Sequence, residues 1–576
     1  MKILGIHDGH NASACLLEDG VVRAAVQEER LSRLKNHNGF PARAVQWVLS
    51  STGTAPESLD TVAFDSLHMP YPKTAEQLLE EYDRSQSLAT GLKRIVKRTP
   101  ARAWHRSRRR ASRIEAARVA GLPVDRLVFV DHHTCHAAAA YHGAPWKDGK
   151  VLVLTADGMG DDLCASIWVA EGGRLGPALA QVEDSHSLGN IYAQITYLMG
   201  MAPLDHEYKL MGMAPYAPER CAVRCQERFA RLLAFDGKDG LTWHRTSGVP
   251  NTFYSYRFFK KFAGRERFDC LAAGLQRFTE RHLATWVANA VRATGIRRVA
   301  LGGGVFMNVV ANHRILKLPE VEELFVFPSC GDETNAIGAA FHVHAEAMLA
   351  HGRPAEIPAL GPIYWGPRPD EAPFGPVLDD LRADGFQIER PADLEVRVAE
   401  VLAAGEVVAR AVGPMEFGAR ALGNRSILAD PTKKDVVRLI NDMVKKRDFW
   451  MPFAPAMLAE RSHEYVLNPK SVDSPYMILA FETTSRSAEL EAAVQPYDRS
   501  ARPQFVHRTH NPEFHRLLCG FADRTGRGVL LNTSFNLHGA PIVSSVTDAV
   551  EVLRNSGLNY LAVPGFLIRK PAVAAG

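Results

Sequence analysis

One strand pattern occurs twice in this chain. Near the start stands KILGIHDGHNASACLLEDGVVRAAVQEE, and from residue 150 comes KVLVLTADGMGDDLCASIWVAEGGRLGPALAQVED. Each copy reads as an apolar strand ending in Asp-Gly, a short polar turn, a second strand closed by an acid and glycine, and a third strand ending in acids. Apolar runs bounded by such turns predict a three-stranded meander. Two meanders about 150 residues apart predict duplicated subdomains facing each other across a cleft. Asp8 and Asp157 then occupy equivalent strand-to-turn corners aimed into that cleft.

A third segment, RRVALGGGVFMNVVANHRI, reads as a strand, a turn of Gly302, Gly303 and Gly304, and a helix bearing Asn308 and Asn312. Glycines let a backbone approach a nucleotide, and a helix amino terminus favours phosphate. In architecture the chain thus resembles the actin, sugar-kinase and Hsp70 ATPase superfamily, an α/β class.

Residues 130 to 143, VDHHTCHAAAAYHG, put three imidazoles at the start of an alanine-rich helix. His132 and His136 are four apart and share a face; His133 points about 100° away. Two acids follow apolar strands: Asp157 after VLVLTA and Asp332 after LFVFPSCG. Two imidazoles and two carboxylates without thiolate suit iron(II), manganese or zinc, with positions left open for a substrate oxygen.

A chain of 576 residues is too long for one core, and two or more domains are expected. Its charge is uneven. Ten Lys or Arg and no acid lie between Lys93 and Arg113, and without them the net +4 would be −6. Such a run reads as a solvated face or mobile insert, with an anion-binding patch as the alternative. The eight cysteines form no CxxC pair and read as reduced thiols. No signal-like segment begins the chain and no run of about 18 apolar residues occurs, so a cytoplasmic protein off the membrane is expected.

Longer segments carry a closer resemblance: HNASA (10–14), EERLSRLK (28–35), SLGNIY (187–192), EYKLMGMAPYA (207–217), MEFGARALGNRSILADP (415–431), KKRDFWMPFAPAML (445–458) and LLNTSFNLHGAPIV (530–543). With HHTCH in a duplicated ATPase fold, they resemble the O-carbamoyltransferases of antibiotic and nodulation-factor biosynthesis. The resemblance implies a Kae1-like transferase domain to about residue 355, with the basic insert at about 70–120, and a YrdC-like α/β domain from 360 to 576. In the second, carbamoyl phosphate and ATP (with magnesium) would give carbamoyl-AMP and pyrophosphate. In the first, an alcohol would take the carbamoyl group. The intermediate is unstable in water, so an enclosed route between the domains is expected.

Residue chemistry fits those demands. Arg420, Arg425, Lys446, Arg447 and Arg502 offer cations for phosphates, with Glu416 orienting one of them; Asn532, Ser534 and Asn536 offer neutral groups. An alcohol needs its proton removed as it attacks, and His10 is the candidate base, with Asp8 orienting it or the hydroxyl. Lys209 could steady the departing phosphate, and Glu207 lies close by in sequence. Three alternatives stand: a small-molecule kinase, a tRNA threonylcarbamoyl transferase drawing on the arginine run, and a nucleotide-gated binding protein. No nucleic-acid partner is expected. A dense cationic run would repel an aminoglycoside, which favours a neutral polyketide, macrolide or glycoside alcohol. Oligomeric state is open, a homodimer being one outcome.

Overall fold

The computed structural model describes residues 1–84, 100–445 and 448–571. The chain divides into two compact units, Met1–Glu28 with Asn36–Leu360 and Glu29–Lys35 with Gly361–Gly576. The first unit is thus interrupted at residues 29–35, where the sequence suggested an unbroken domain.

The first unit contains β1 (Lys2–His7), β2 (Ser13–Glu18), β3 (Val21–Gln27), β4 (Thr61–Asp65), β5 (Leu127–Val130), β6 (Val151–Gly160), β7 (Leu163–Glu171), β8 (Arg174–Glu183), a small hairpin of β9 (Leu233–Phe235) and β10 (Trp243–Arg245), β11 (Arg298–Gly302) and β12 (Glu323–Val326). Two five-stranded sheets result, ordered β3-β2-β1-β4-β5 and β8-β7-β6-β11-β12. In each, an antiparallel meander continues into two parallel strands. The duplication is therefore real at the level of topology.

The turns explain the meanders. Asp19 and Gly20 (φ 48° and 80°) join β2 to β3, and Gly172 and Gly173 (φ 60° and 78°) join β7 to β8. Consecutive positive φ values give the turn that matches strand twist. The second corner differs from expectation. β6 continues through Asp157 to Gly160, and the turn falls at Asp161 and Asp162 (φ 47° and 72°). The ladder with β7 is irregular between Ala156 and Gly160, a distortion of the kind that re-aims a side chain.

Helix His132–Gly143 follows β5, its amino terminus capped by Asp131, which accepts from the Thr134 amide at 2.9 Å. Its alanines are buried, and a Cβ on Gly338 of helix Asn335–Ala350 would lie 2.0 Å from the Cys135 carbonyl oxygen. Small residues here let two helix backbones touch. The glycine turn also departs from expectation. After Gly303 (φ 97°) a short 3₁₀ turn, Gly304–Met307, intervenes before helix Val309–Leu316.

Two sequence readings are corrected. Cys221 and Cys270, 49 residues apart, form a disulfide that links helix Glu219–Ala230 to helix Phe268–Thr294. A bridge between two helices leaves no mark in local spacing. The arginine run is not a solvated face throughout: Arg109 and Arg113, on helix Pro100–Val119, are 6% and 1% exposed. Residues 85–99, which hold the start of the run, lie outside the described residues.

The second unit is built on an eight-stranded mixed sheet. Its strands are β13 (Gln387–Glu389), β14 (Val408–Ala411), β15 (Arg425–Ala429), β16 (Ala454–Leu458), β19 (Gln504–Val506), β20 (Val529–Ser534), β21 (Tyr560–Val563) and β22 (Phe566–Arg569), with β17 (Val466–Leu467) and β18 (Glu482–Thr483) in a separate pair. The order is β13-β22-β21-β14-β15-β20-β16-β19. Apolar clusters cover both faces: Ile427, Leu531, Leu561 and Ile568 belong to one, Leu428, Leu530, Phe514 and Phe521 to the other. Residues 29–35 join this unit because their arginines find carbonyls there. Arg30 donates to Gly418 O at 2.7 Å, and Arg33 to Ile542 O at 2.6 Å.

Candidate active site

The histidine helix, the β6 irregularity and the loop after β12 bring four side chains to one point. His132 Nε2 lies 3.1 Å from His136 Nε2, 3.3 Å from Asp157 Oδ2 and 3.5 Å from Asp332 Oδ1; His136 Nε2 is also 3.5 Å from Asp332 Oδ1. One donor atom from each residue falls within 4.8 Å of the others. Two imidazole nitrogens sharing a tetrahedral ion would stand roughly 3.4 Å apart. Burial opposes a charge on His132, yet Asp332, Asp157 and Asp65 hold its proton well above the usual imidazole range. Burial likewise opposes ionising Asp157, and His132, His136 and His133 override it, bringing the carboxyl below its usual range. The pocket calls for positive charge, and the donor set fits a divalent ion.

A second layer braces these groups. Ser66 Oγ is 3.0 Å from His132 Nδ1 and donates to Asp65 Oδ2 at 3.0 Å; Asp65 Oδ2 is 3.7 Å from the same imidazole nitrogen. Asn335 Nδ2 stands 3.3 Å from both His132 and His136. Asp161 accepts from the amides of Leu67, His68 and His132 at 2.7–2.8 Å, tying the loop after β4 to the helix. His133 turns away to Thr155 Oγ1, 2.7 Å distant. None of Asp65, Ser66, Asp161 or Asn335 was singled out from sequence. Asp65 carried a usable signal, because VAFD is an apolar strand ending in an acid, as VLVLTAD is.

Two histidines flank the first corner with contrasting chemistry. His7 Nδ1 is 3.0 Å from Asp65 Oδ2 and its Nε2 is 2.8 Å from His10 O, so both ring nitrogens face acceptors. Burial works against charging His7, but Asp65 prevails and lifts it to about 9. His10 Nε2 is 3.3 Å from Leu204 O, and its Nδ1 has no hydrogen-bond partner. A carbonyl only accepts, so Nε2 carries the proton and Nδ1 is left as a buried base. Burial holds His10 below the usual imidazole range. The backbone at Leu204 (φ 64°) is held by its amide donating to Glu207 Oε1 at 2.7 Å, and burial pushes that carboxyl up to about 7. Lys209 lies on the same helix, Glu207–Met213.

Asp8 is not free to orient a substrate. Its Oδ1 pairs with Arg113 Nη2 at 2.7 Å, and its Oδ2 accepts from Arg109 Nη2 at 2.9 Å and Arg113 Nε at 3.1 Å. Arg113 also donates to Ser66 O and Asp65 O. The insert is thereby anchored beside the helix that carries His132 and His136, and Arg106 pairs with Asp162 at 2.6 Å. These pairings weaken the charge-repulsion grounds for a neutral acceptor.

The glycine turn closes on the same place. Gly304 N donates to Asp157 Oδ1 at 3.0 Å, and a Cβ on Gly302 would stand 2.7 Å from His136 O. Asn308 caps the helix after it by accepting from Ala311 N, and it bonds Gln276. Asn312 is buried, donating to Phe306 O.

In the second unit the residues singled out from sequence split. Glu416 Oε1 accepts from the amides of Leu422, Asn424 and Arg425, so it shapes a loop rather than orienting a guanidinium. Arg425 is fully buried and donates to five carbonyls, those of Val412, Gly413, Asn424, Pro367 and Ser544. It therefore holds backbone, not phosphate, because burial without such partners would be prohibitive for a cation. Arg420 and Arg502 are half-buried. Lys446 and Arg447 lie outside the described residues. Their neighbour Lys445 comes forward instead, its Nζ donating to Ser534 Oγ at 3.0 Å and Asn536 Oδ1 at 2.6 Å. Asn532 Nδ2 donates to Ala421 O and Gln504 Oε1, each at 3.1 Å. A small cleft beside this network is lined by Tyr364, Leu422, Tyr476, Gln504, His507 and Asn511.

No helix among the described residues is long and apolar enough to cross a membrane. The family model "Carbamoyltransferase N-terminus" matches residues 2–341, and "Carbamoyltransferase C-terminus" matches residues 399–570. Nodulation protein NolNO of Sinorhizobium fredii is 34% identical over 570 residues, covering 97% of this chain and 79% of its own. The 3'-hydroxymethylcephem-O-carbamoyltransferase of Amycolatopsis lactamdurans is 31% identical over 307 residues, covering 52% of this chain and 54% of its own. The chain belongs to the carbamoyltransferase family.

Proposed function

We propose that this enzyme transfers a carbamoyl group to an alcohol hydroxyl of a small natural product, using carbamoyl-AMP made from carbamoyl phosphate and ATP. Transfer is assigned to the first unit. His132, His136, Asp157 and Asp332 would hold a divalent ion, with iron(II), manganese and zinc compatible with the ligand types. When bound, such an ion supplies Lewis-acid polarisation. The chain's own residues do the rest. His10 takes the hydroxyl proton at Nδ1 while its Nε2–H stays bonded to Leu204 O. His7, protonated between Asp65 and His10 O, fixes the corner that presents His10. Asp8, clamped by Arg109 and Arg113, keeps that corner rigid. The turn at Gly302, Gly303 and Gly304, packed closely against His136, Ala156 and Asp157, is assigned to the adenylate, and Lys209 is the cation assigned to its phosphate.

Adenylate formation is assigned to the second unit, with Arg420, Lys446, Arg447 and Arg502 as cations and Lys445, Ser534 and Asn532 as hydrogen-bonding groups. The name of the cephem relative supports a hydroxyl acceptor. The observation that carries the transfer reading is the unpartnered, buried Nδ1 of His10. Mass spectrometry of candidate alcohols incubated with protein, ATP and carbamoyl phosphate tests it. A gain of one carbamoyl group with pyrophosphate release is expected; a phosphorylated alcohol with ADP release would replace the reading with a kinase.

A further inference from the structure

Helix Pro512–Thr525 begins at a well-formed cap, where Asn511 accepts from Phe514 N at 3.0 Å and Pro512 occupies the first turn. One face then presents His515 and Cys519, four residues apart. The 3₁₀ turn Ala459–Glu464, leaving β16, sets Glu460 against them. His515 Nε2 is 2.9 Å from Glu460 Oε1, and Cys519 Sγ is 3.6 Å from His515 Nδ1. The carboxylate and the sulfur face opposite nitrogens of one ring. One ligand atom from each residue falls within 4.8 Å of the others, but the two neighbours use different nitrogens of the ring, an arrangement suited to passing a proton from one side to the other.

The ring tautomer follows from the partners. A carboxylate only accepts, so Nε2 carries the proton and Nδ1 offers its lone pair to the thiol. Accessibility also singles out this sulfur. Cys15, Cys135, Cys164, Cys225 and Cys330 are buried, Cys221 and Cys270 are bridged, and Cys519 alone is a half-buried free thiol. Among the charged groups around it, Glu460 and Asp523 oppose its ionisation, as burial does more strongly, while Arg508 and Arg461 favour it. The thiol therefore rests protonated and gives up its proton only as it attacks.

We propose that Cys519, His515 and Glu460 form a reactive-thiol site in the second unit, distinct from the transferase chemistry, that undergoes exchange with small-molecule disulfides. Cys519 Sγ attacks one disulfide sulfur as its proton moves to His515 Nδ1. The S–S bond breaks, a Cys519 mixed disulfide forms, and the departing thiolate takes the proton back from the imidazolium. No outside oxidant is needed, since the disulfide is itself reduced. His515 is the base; Glu460 is a positioning residue.

Oxidised glutathione is the probe, applied to the intact protein, with peptide mass spectrometry to locate the adduct. One mixed disulfide at Cys519 is expected, and none in Cys519→Ser. His515→Gln should slow the reaction about 100-fold near neutral pH, within the usual range for a lost general base. Its rate should then follow the thiol's own ionisation, which burial moves to higher pH. Glu460→Gln should slow exchange less and Glu460→Asp should recover part of the loss, which a merely structural carboxylate would not show. An unchanged rate and pH profile in His515→Gln, or first reaction at another cysteine, would overturn the proposal.

Discussion

Asp8 follows the first strand of one sheet and Asp157 lies near the end of the first strand of another with the same strand order. Each carboxylate faces two nitrogen-bearing side chains. At Asp8 these are the guanidinium groups of Arg109 and Arg113, which stay charged at any physiological pH. At Asp157 they are the imidazoles of His132 and His136, side chains of the type that can hold a divalent ion. The first corner is a closed electrostatic unit, whereas the second is open to exchange. Duplication supplied two similar backbones, and the residues facing each carboxylate made one a strut and left the other among groups that could hold a metal ion.

The comparison breaks most visibly at the open corner. His136→Ala should abolish stoichiometric metal in elemental analysis and lower transfer roughly 10⁴-fold, a loss of several kcal/mol of transition-state stabilisation. Metal content unchanged in that variant would remove His136 from the ligand set, leaving Asp157 without the imidazole pair on which the contrast rests. His10→Asn, beside the closed corner, should lower transfer by about 10²–10⁴-fold while metal content and pyrophosphate release stay as in the parent enzyme.

At the closed corner the expected damage is to stability. Arg113→Met leaves Asp8 with half its compensation in a site that is 1% exposed. Removing one partner of a buried pair costs about 3–5 kcal/mol, readable in a urea titration. Asp8→Asn combined with Arg113→Met should cost less than the two changes summed. Strict additivity would mean that the pair does not act as a unit.

Much of this contrast was readable in the chain. Asp-Gly and Gly-Gly turns between apolar runs mark the meanders because the dihedral angles they need are local. The spacing of His132 and His136 is likewise local, and Asp157 and Asp332 come directly after apolar runs in the sequence. What escaped were pairings made over distance. Arg113 meets Asp8 across 105 residues, Cys221 meets Cys270 across 49, and Glu29–Lys35 leaves one unit for another. Arg425 shows the opposite failure. Its motif invited a phosphate, but a cation that far inside takes carbonyls instead. Asp65 was missed although it met the same strand-end criterion as Asp157.

Asp65 offers a finer test of how the open corner is tuned. It touches His132 from the side away from the ligand point, and Asp65→Asn keeps the shape while removing the charge. Second-layer partners of this kind typically govern 10–100-fold in metal affinity. A competition titration with a chelator should show a weakening in that range, well short of the loss in His136→Ala. His7 should lose its elevated protonation in the same variant, since Asp65 is the group that raises it.

The smallest effect separates the two histidines of the first corner. Burial holds His10 below the usual imidazole range, and a general base must be neutral to work. Activity on the alcohol should therefore show no acid limb at or above the ordinary imidazole range, because the base loses its proton below it. It should fall only as acidification passes through the lowered value. His7 is lifted to about 9 by Asp65, so if it were the base the limb would appear near pH 9 and activity at neutrality would be a small fraction of the maximum. A kcat/KM profile for the acceptor distinguishes the two directly. An acid limb centred above 6.5 in the parent enzyme, and unmoved in His10→Asn, would transfer the role from His10 to His7.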